Sequence, residues 1–133
     1  MRIIVADDQA KVRSALRLAL EQEPEVEILG EAVDSTGLLD WVKAVCPDLV
    51  LLDWELPGLP PTALLPLLHY YCPSLKMVAL SSQPQARRAA LAAGADAFVS
   101  KGDPPEQLLA TLHTCDGRAV AQAGTHGTDA ART

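Results

Sequence analysis

Five times along the chain a short aliphatic run stops at a polar residue and gives way to a stretch of helical spacing. The runs are Ile3–Ala6, Val26–Val33, Leu49–Leu52, Lys76–Leu80 and Ala97–Val99. Leu49–Leu52 is apolar throughout and is bounded by Cys46-Pro47-Asp48 and Pro57-Gly58. It has neither strict alternation nor a helical stripe, the pattern of a strand buried on both faces. Between the runs, Gln9–Gln22 repeats Val12, Ala15, Leu16, Ala19 and Leu20 at helical spacing. Asp34-Ser35 can cap a second helix carrying Leu38, Leu39, Trp41, Val42 and Val45, which Cys46-Pro47 ends. Thr62–Tyr71 reads as a third helix, weakened by the internal Pro66. Gln85–Ala93 is an alanine-rich fourth with Gly94 as its stop, and Pro104-Pro105 opens a fifth that runs to about Thr114.

Strands and helices alternating in this way predict an α/β domain, with helices on both faces of a parallel sheet and right-handed crossovers. The expected fold is a doubly wound, five-stranded parallel sheet of order 2-1-3-4-5, flavodoxin-like. A length of 133 residues fits one domain. We place it at residues 1–117 and expect residues 118–133, which lack apolar periodicity, to form a disordered tail.

In such sheets the functional crevice lies outside the carboxyl ends of the strands, at the switch point between the first and third. Those strands end here in Asp7-Asp8 and Asp53, while the fourth ends in Ser81-Ser82 and the fifth is followed by Lys101. Three converging carboxylates repel one another, by about 4 kcal/mol for a pair at 4 Å in an effective dielectric near 20. Lys101 supplies one offsetting charge, and a hard divalent cation, Mg²⁺ in particular, would supply more. An unprotonated aspartate beside such a cation is a competent oxygen nucleophile, and a hydroxyl and an ammonium can hold phosphoryl oxygens. The chemistry these residues suggest is phosphoryl transfer onto an aspartate.

Asp-Asp after the first strand, Asp53 followed by x-x-x-Pro-Gly, Ser81 after the fourth and Lys101 after the fifth resemble the receiver domain of two-component response regulators, over residues 2 to 115. The resemblance implies that Asp53 is the phosphoacceptor and that Asp7 and Asp8 hold Mg²⁺, with the backbone carbonyl of Glu55 a further ligand. It implies that Ser81 donates to the phosphoryl group, that Lys101 pairs with it, and that Phe98 is the aromatic switch, turning inward on activation. Implied partners are a sensor histidine kinase or phosphotransfer protein, a downstream effector or an output domain, and a homodimer. Catalysis would extend only to the domain's own phosphorylation and dephosphorylation. Departures from the pattern are Gly102 after Lys101, where a proline is common, the acid Glu55 beside the acceptor, and Pro60-Pro61 at the third helix.

Two rival readings are a degenerate receiver serving as a protein-binding scaffold and an aspartate-nucleophile phosphatase of the haloacid-dehalogenase type. The phosphatase expects Asp-x-Asp after its first strand, where this chain has Asp7-Asp8. A net charge of −6 without clustered Lys and Arg argues against direct nucleic-acid binding, and no apolar run is long enough for a membrane span, so the expected location is cytoplasmic. Cys46, Cys72 and Cys115 are widely spaced, suggest neither a disulfide framework nor a zinc site, and are expected to be small core fillers. His69, His113 and His126 are expected to be scattered surface residues.

Overall fold

The structure is a computed structural model, and it describes residues 1–115; the tail predicted for 118–133 lies outside the described residues. The elements are β1 (Arg2–Ala6), α1 (Ala10–Leu20), β2 (Glu27–Ala32), α2 (Ser35–Val45), β3 (Leu49–Asp53), α3 (Pro61–Tyr71), β4 (Lys76–Ser81), α4 (Arg87–Ala92), β5 (Ala97–Ser100) and α5 (Pro105–Cys115). Strand order is β2-β1-β3-β4-β5, and every pairing is parallel.

Side chains along a strand point alternately to opposite faces, so each buried run divides between two cores. Ile4, Ala6, Val50, Leu52 and Met77 pack on Leu38 and Val42 of α2 and on Leu64, Leu65 and Leu68 of α3. Ile3, Val5, Leu49, Leu51, Val78, Leu80 and Val99 pack on Leu20 of α1 and on Leu108 and Leu112 of α5. Every residue of β3 is buried, as its unbroken apolar run requires. Each fully buried leucine contributes about 1.5–3 kcal/mol of transfer free energy. β3 is thereby a rigid support that brings Asp53 to the sheet's carboxyl edge.

The ends of several elements differ from expectation. Helix α3 runs through Pro66, which sits on its exposed side, where the carbonyl left without an N–H partner can meet water. The alanine-rich stretch begins as a 3-10 turn, Pro84–Ala86, and only six residues become α-helix, because Ala90 alone among them is buried. Asp34 does cap α2, accepting from the Gly37 N–H at 2.8 Å.

Beside that cap, Ser35 ties α2 to the loop after β3. Its N–H donates to the Pro57 carbonyl at 2.9 Å, and its Oγ accepts from the Leu59 N–H at 2.9 Å. Gly58, between those partners, has φ +111°, and a Cβ there would fall 2.0 Å from Ser35 Oγ. Glycine is needed for both the backbone conformation and the space. These bonds anchor the later part of the loop to α2, and the Trp54 N–H, donating to the Leu80 carbonyl at 2.7 Å, holds its start.

The cysteines overturn their sequence reading. Cys46 and Cys72 form a disulfide across 26 residues, with their Cα atoms 5.7 Å apart, and only Cys115 is a free thiol among the described residues. Each bonded cysteine follows the last residue of a helix, α2 for Cys46 and α3 for Cys72, and these helices lie side by side on one sheet face. Cys46 has φ 43°, a left-handed conformation that helix ends usually give to glycine or asparagine. No described helix is long and apolar enough to cross a membrane.

Candidate functional site

The carboxyl ends of β1, β3, β4 and β5 meet at one edge of the sheet. Asp7, directly after β1, is fully buried, and Asp53, the last residue of β3, is 2% exposed. Lys101 follows β5, where its N–H donates to the Ser81 carbonyl at 2.8 Å. Its Nζ lies 2.7 Å from Asp7 Oδ2 and 3.2 Å from Asp53 Oδ1. Asp8 is exposed at the mouth, and Asp7, Asp8 and Asp53 each offer an oxygen within 4.8 Å of the others. The structure therefore brings together the three acids and the lysine that the sequence singled out.

Backbone groups fix these side chains. Asp7 Oδ1 accepts from the Gln9 N–H at 2.8 Å, and Asp53 Oδ1 accepts from the Glu55 N–H at 2.9 Å. Arg13 Nη1 donates to the Asp7 carbonyl at 2.7 Å, while its Nε donates to Glu31. Arg13 is thus a brace for the site, one that the apolar spacing of its helix does not reveal.

The electrostatics favour cation binding. Burial raises the Asp53 pKa and the charge of Asp7 raises it further, against the lowering by the Glu55 N–H and Lys101. Burial works against the Lys101 ammonium, yet its hydrogen bonding and charge pairing with Asp7 and Asp53 carry its pKa upward. Asp7 Oδ2 is buried, and its one close partner among the described residues is the Lys101 ammonium. An all-oxygen donor set, an excess of carboxylates over ammonium and a buried oxygen partnered by that ammonium alone fit a hard divalent cation such as Mg²⁺.

At the end of β4, Ser81 is fully buried and Ser82 is exposed, so the first serine of the pair faces the site. Ser81 Oγ donates to the Glu55 carboxylate, 3.1 and 3.2 Å from its two oxygens, and accepts from the Gln83 N–H at 3.0 Å. Beyond the metal-ligand role given to its backbone carbonyl, Glu55 was marked in the sequence as an extra acid, and the hold of its side chain on Ser81 was not legible there. Phe98 is already inward, 5% exposed, and packs with Ala79, Ala90 and Ala95. The Arg87 guanidinium lies 5.2 Å over its ring, and Arg87 Nη2 donates to the Phe98 carbonyl at 3.4 Å. Arg87 therefore covers the aromatic position.

A second cluster lies away from this edge. His113 Nε2 is 2.9 Å from Glu23 Oε1 and 3.5 Å from Glu25 Oε1, so this exposed histidine of α5 lies at the surface as expected and is paired there. His126 lies outside the described residues.

A doubly wound sheet with buried acids facing a lysine across its switch point defines a phosphoryl-signalling class of domain, and comparison with known proteins agrees. The family described as "Response regulator receiver domain" matches residues 3–113, and the chain belongs to it. In that family, phosphorylation on an aspartate with a conformational switch is the general function, and Mg²⁺ generally serves the phosphorylation. The uncharacterized transcriptional regulatory protein YhcZ of Bacillus subtilis (strain 168) is 31% identical over 119 residues, 88% of this chain and 56% of that protein. The nitrate/nitrite response regulator protein NarL of Escherichia coli (strain K12) is 29% identical over 113 residues, 84% of this chain and 52% of that protein. The chain spans about half the length of these two curated relatives. Among solved structures, the signal receiver domain of the putative response regulator NarL from Mycobacterium tuberculosis superposes with a TM-score of 0.76 at 27% identity, covering 86% of this chain and 94% of that one.

Proposed function

We propose that this receiver takes a phosphoryl group onto Asp53 from the phosphohistidine of a sensor kinase or phosphotransfer protein. The observation that carries the reading is the Lys101 ammonium, shared between the buried carboxylates of Asp7 and Asp53. In the reaction an Asp53 carboxylate oxygen attacks phosphorus, the bond from phosphorus to the donor imidazole nitrogen breaks, and that nitrogen keeps the electron pair and takes a proton. Lys101 holds a phosphoryl oxygen, and Ser81 turns from Glu55 to donate to another.

Asp8, Asp7, Asp53 and the backbone carbonyl of Glu55 would hold Mg²⁺. When bound, the ion offsets carboxylate repulsion and neutralises charge on the phosphoryl group. The residues' own part is to exclude water, fix the acceptor through the Glu55 N–H, and keep Lys101 charged.

The signal leaves by the face formed by α4, β5 and α5. Movement of Ser81 toward the phosphoryl group alters the space beside Phe98, and the ring with its Arg87 cover then biases that face between two arrangements. An effector protein, an output domain of the kind found in transcriptional regulators, or a second copy of the chain would read the change, in the cytoplasm. Amide shifts with beryllofluoride and Mg²⁺ test the switch: Ser81, Arg87 and Phe98 should shift together, and unchanged Phe98 resonances beside shifted Ser81 would remove it.

A further inference from the structure

All three cysteines of the chain line one open cleft of about 570 Å³ at the amino-terminal edge of the sheet, opposite the phosphoryl site. Met1, Asp48, Ser74 and Lys76 line it as well, giving polar walls of both charges. The two bonded sulfurs differ in access. Cys46 is exposed, whereas Cys72 is only 3% exposed. A thiolate arriving from solvent therefore meets Cys46 first.

The surroundings of Cys46 also favour an attacking anion. Arg2 Nη2 donates to the Val45 carbonyl at 2.9 Å and Nη1 to the Cys46 carbonyl at 3.4 Å, which places a guanidinium beside the residue. Lys43 Nζ lies 4.9 Å over the Tyr71 ring, next in sequence to Cys72. Asp48 opposes these charges, but its Oδ2 is occupied by the Arg2 N–H at 2.7 Å. Exposed, electropositive surroundings of this kind mark reactive cysteines. Cys46 further holds the left-handed backbone that glycine or asparagine would occupy more easily, so the side chain sits at a position backbone preference does not explain.

We propose that the Cys46–Cys72 pair is a thiol–disulfide exchange site for low-molecular-weight thiols, with Cys46 as the sulfur that is attacked and transiently modified. A thiolate attacks Cys46 Sγ, the sulfur–sulfur bond breaks, and its electron pair leaves on Cys72 Sγ, which takes a proton from solvent. Cys46 is then a mixed disulfide. A second thiolate attacks the small-molecule sulfur of that adduct and releases the Cys46 thiolate, which takes a proton. Two thiols are oxidised to one disulfide while the protein disulfide is reduced to two thiols, and the reverse sequence consumes a low-molecular-weight disulfide. Cys115 stands outside the cycle, since burial, helped by the nearby charge of Asp96, pushes its thiol pKa up. Opening the bond frees the carboxyl ends of α2 and α3 from each other, whereas in a reducing compartment a purely structural bond would gain nothing from an exposed sulfur.

The test uses the full-length oxidised protein in native buffer with reduced glutathione, quenched by alkylation at intervals and mapped by mass spectrometry. Cys46 and Cys72 should become alkylated without denaturant, and the intermediate should carry glutathione on Cys46. In Cys72→Ser, oxidised glutathione should modify Cys46 at least about tenfold faster than it modifies Cys72 in Cys46→Ser. Circular dichroism checks that both variants fold, and the wild-type time course stands without them. A bond that opens only after denaturation, adducts found on Cys72, or three thiols that stay free under an oxidised glutathione buffer would each overturn the proposal.

Discussion

Ser81 and Glu55 are bonded across the mouth of the acidic pocket, the serine hydroxyl donating to both carboxylate oxygens at 3.1 and 3.2 Å. A phosphoryl group on Asp53 would compete for that hydroxyl. The contact therefore opposes activation by about the net worth of one hydrogen bond, on the order of 1 kcal/mol. Glu55→Ala should strengthen beryllofluoride binding in the presence of Mg²⁺ roughly fivefold. Glu55→Gln removes the charge but keeps an acceptor, and should gain less. Equal gains by titration would show that charge alone acts, and weaker binding by Glu55→Ala would refute the competition.

The paired acids make a second point about stability. Burial and the Asp7 charge raise the Asp53 pKa above its unfolded value, so the folded chain binds that proton more tightly than the unfolded chain does. Ionised Asp53 is therefore a cost to stability at neutral pH, relieved as pH falls through the raised value. Asp53→Asn removes the charge and keeps the shape. Without divalent cation at pH 7 it should unfold about 4 °C higher, the shift expected for roughly 1 kcal/mol in a domain of this size. A lower melting temperature would mean that the ion pair with Lys101 outweighs the repulsion.

Glu31 titrates with the opposite sign. The hydrogen bond from Arg17 lowers its pKa most, burial opposes, and Arg13 adds to the lowering. Its contribution is complete above the unfolded value of 4.5 and is lost as pH falls through the depressed folded one. Glu31→Gln should destabilise by about 1 kcal/mol in urea at pH 7, a modest figure because the carboxylate is partly exposed. The gap should narrow as pH falls below 4.5 and close below the depressed folded value. An undiminished gap at low pH would show that packing rather than charge is responsible.

Much of this site was legible because buried strands must end somewhere, and an aspartate at the end of an all-apolar run is conspicuous. Asp7, Asp53, Ser81 and Lys101 were found that way, and the alternation of strand and helix placed them on one edge. What escaped depends on partners distant in sequence. Cys46 and Cys72 are 26 residues apart, and only the packing of α2 against α3 turns that separation into a bond. The partner of Arg87 is a ring on β5, and the partner of the Glu55 side chain lies on β4, so neither contact can be read from the residues around it in sequence. The late start of α4, after a 3-10 turn, goes with its alanines, whose helical preference is strong but whose burial gains little to fix the first turn against the sheet.

The central claim is that Asp53 is the acceptor, and intact mass after incubation with acetyl phosphate and Mg²⁺ tests it most directly. The wild-type chain should gain one phosphoryl group that hydroxylamine removes, as an acyl phosphate requires, and Asp53→Asn should gain none. An equal gain in both proteins, or a wild-type adduct resistant to hydroxylamine, would contradict the assignment.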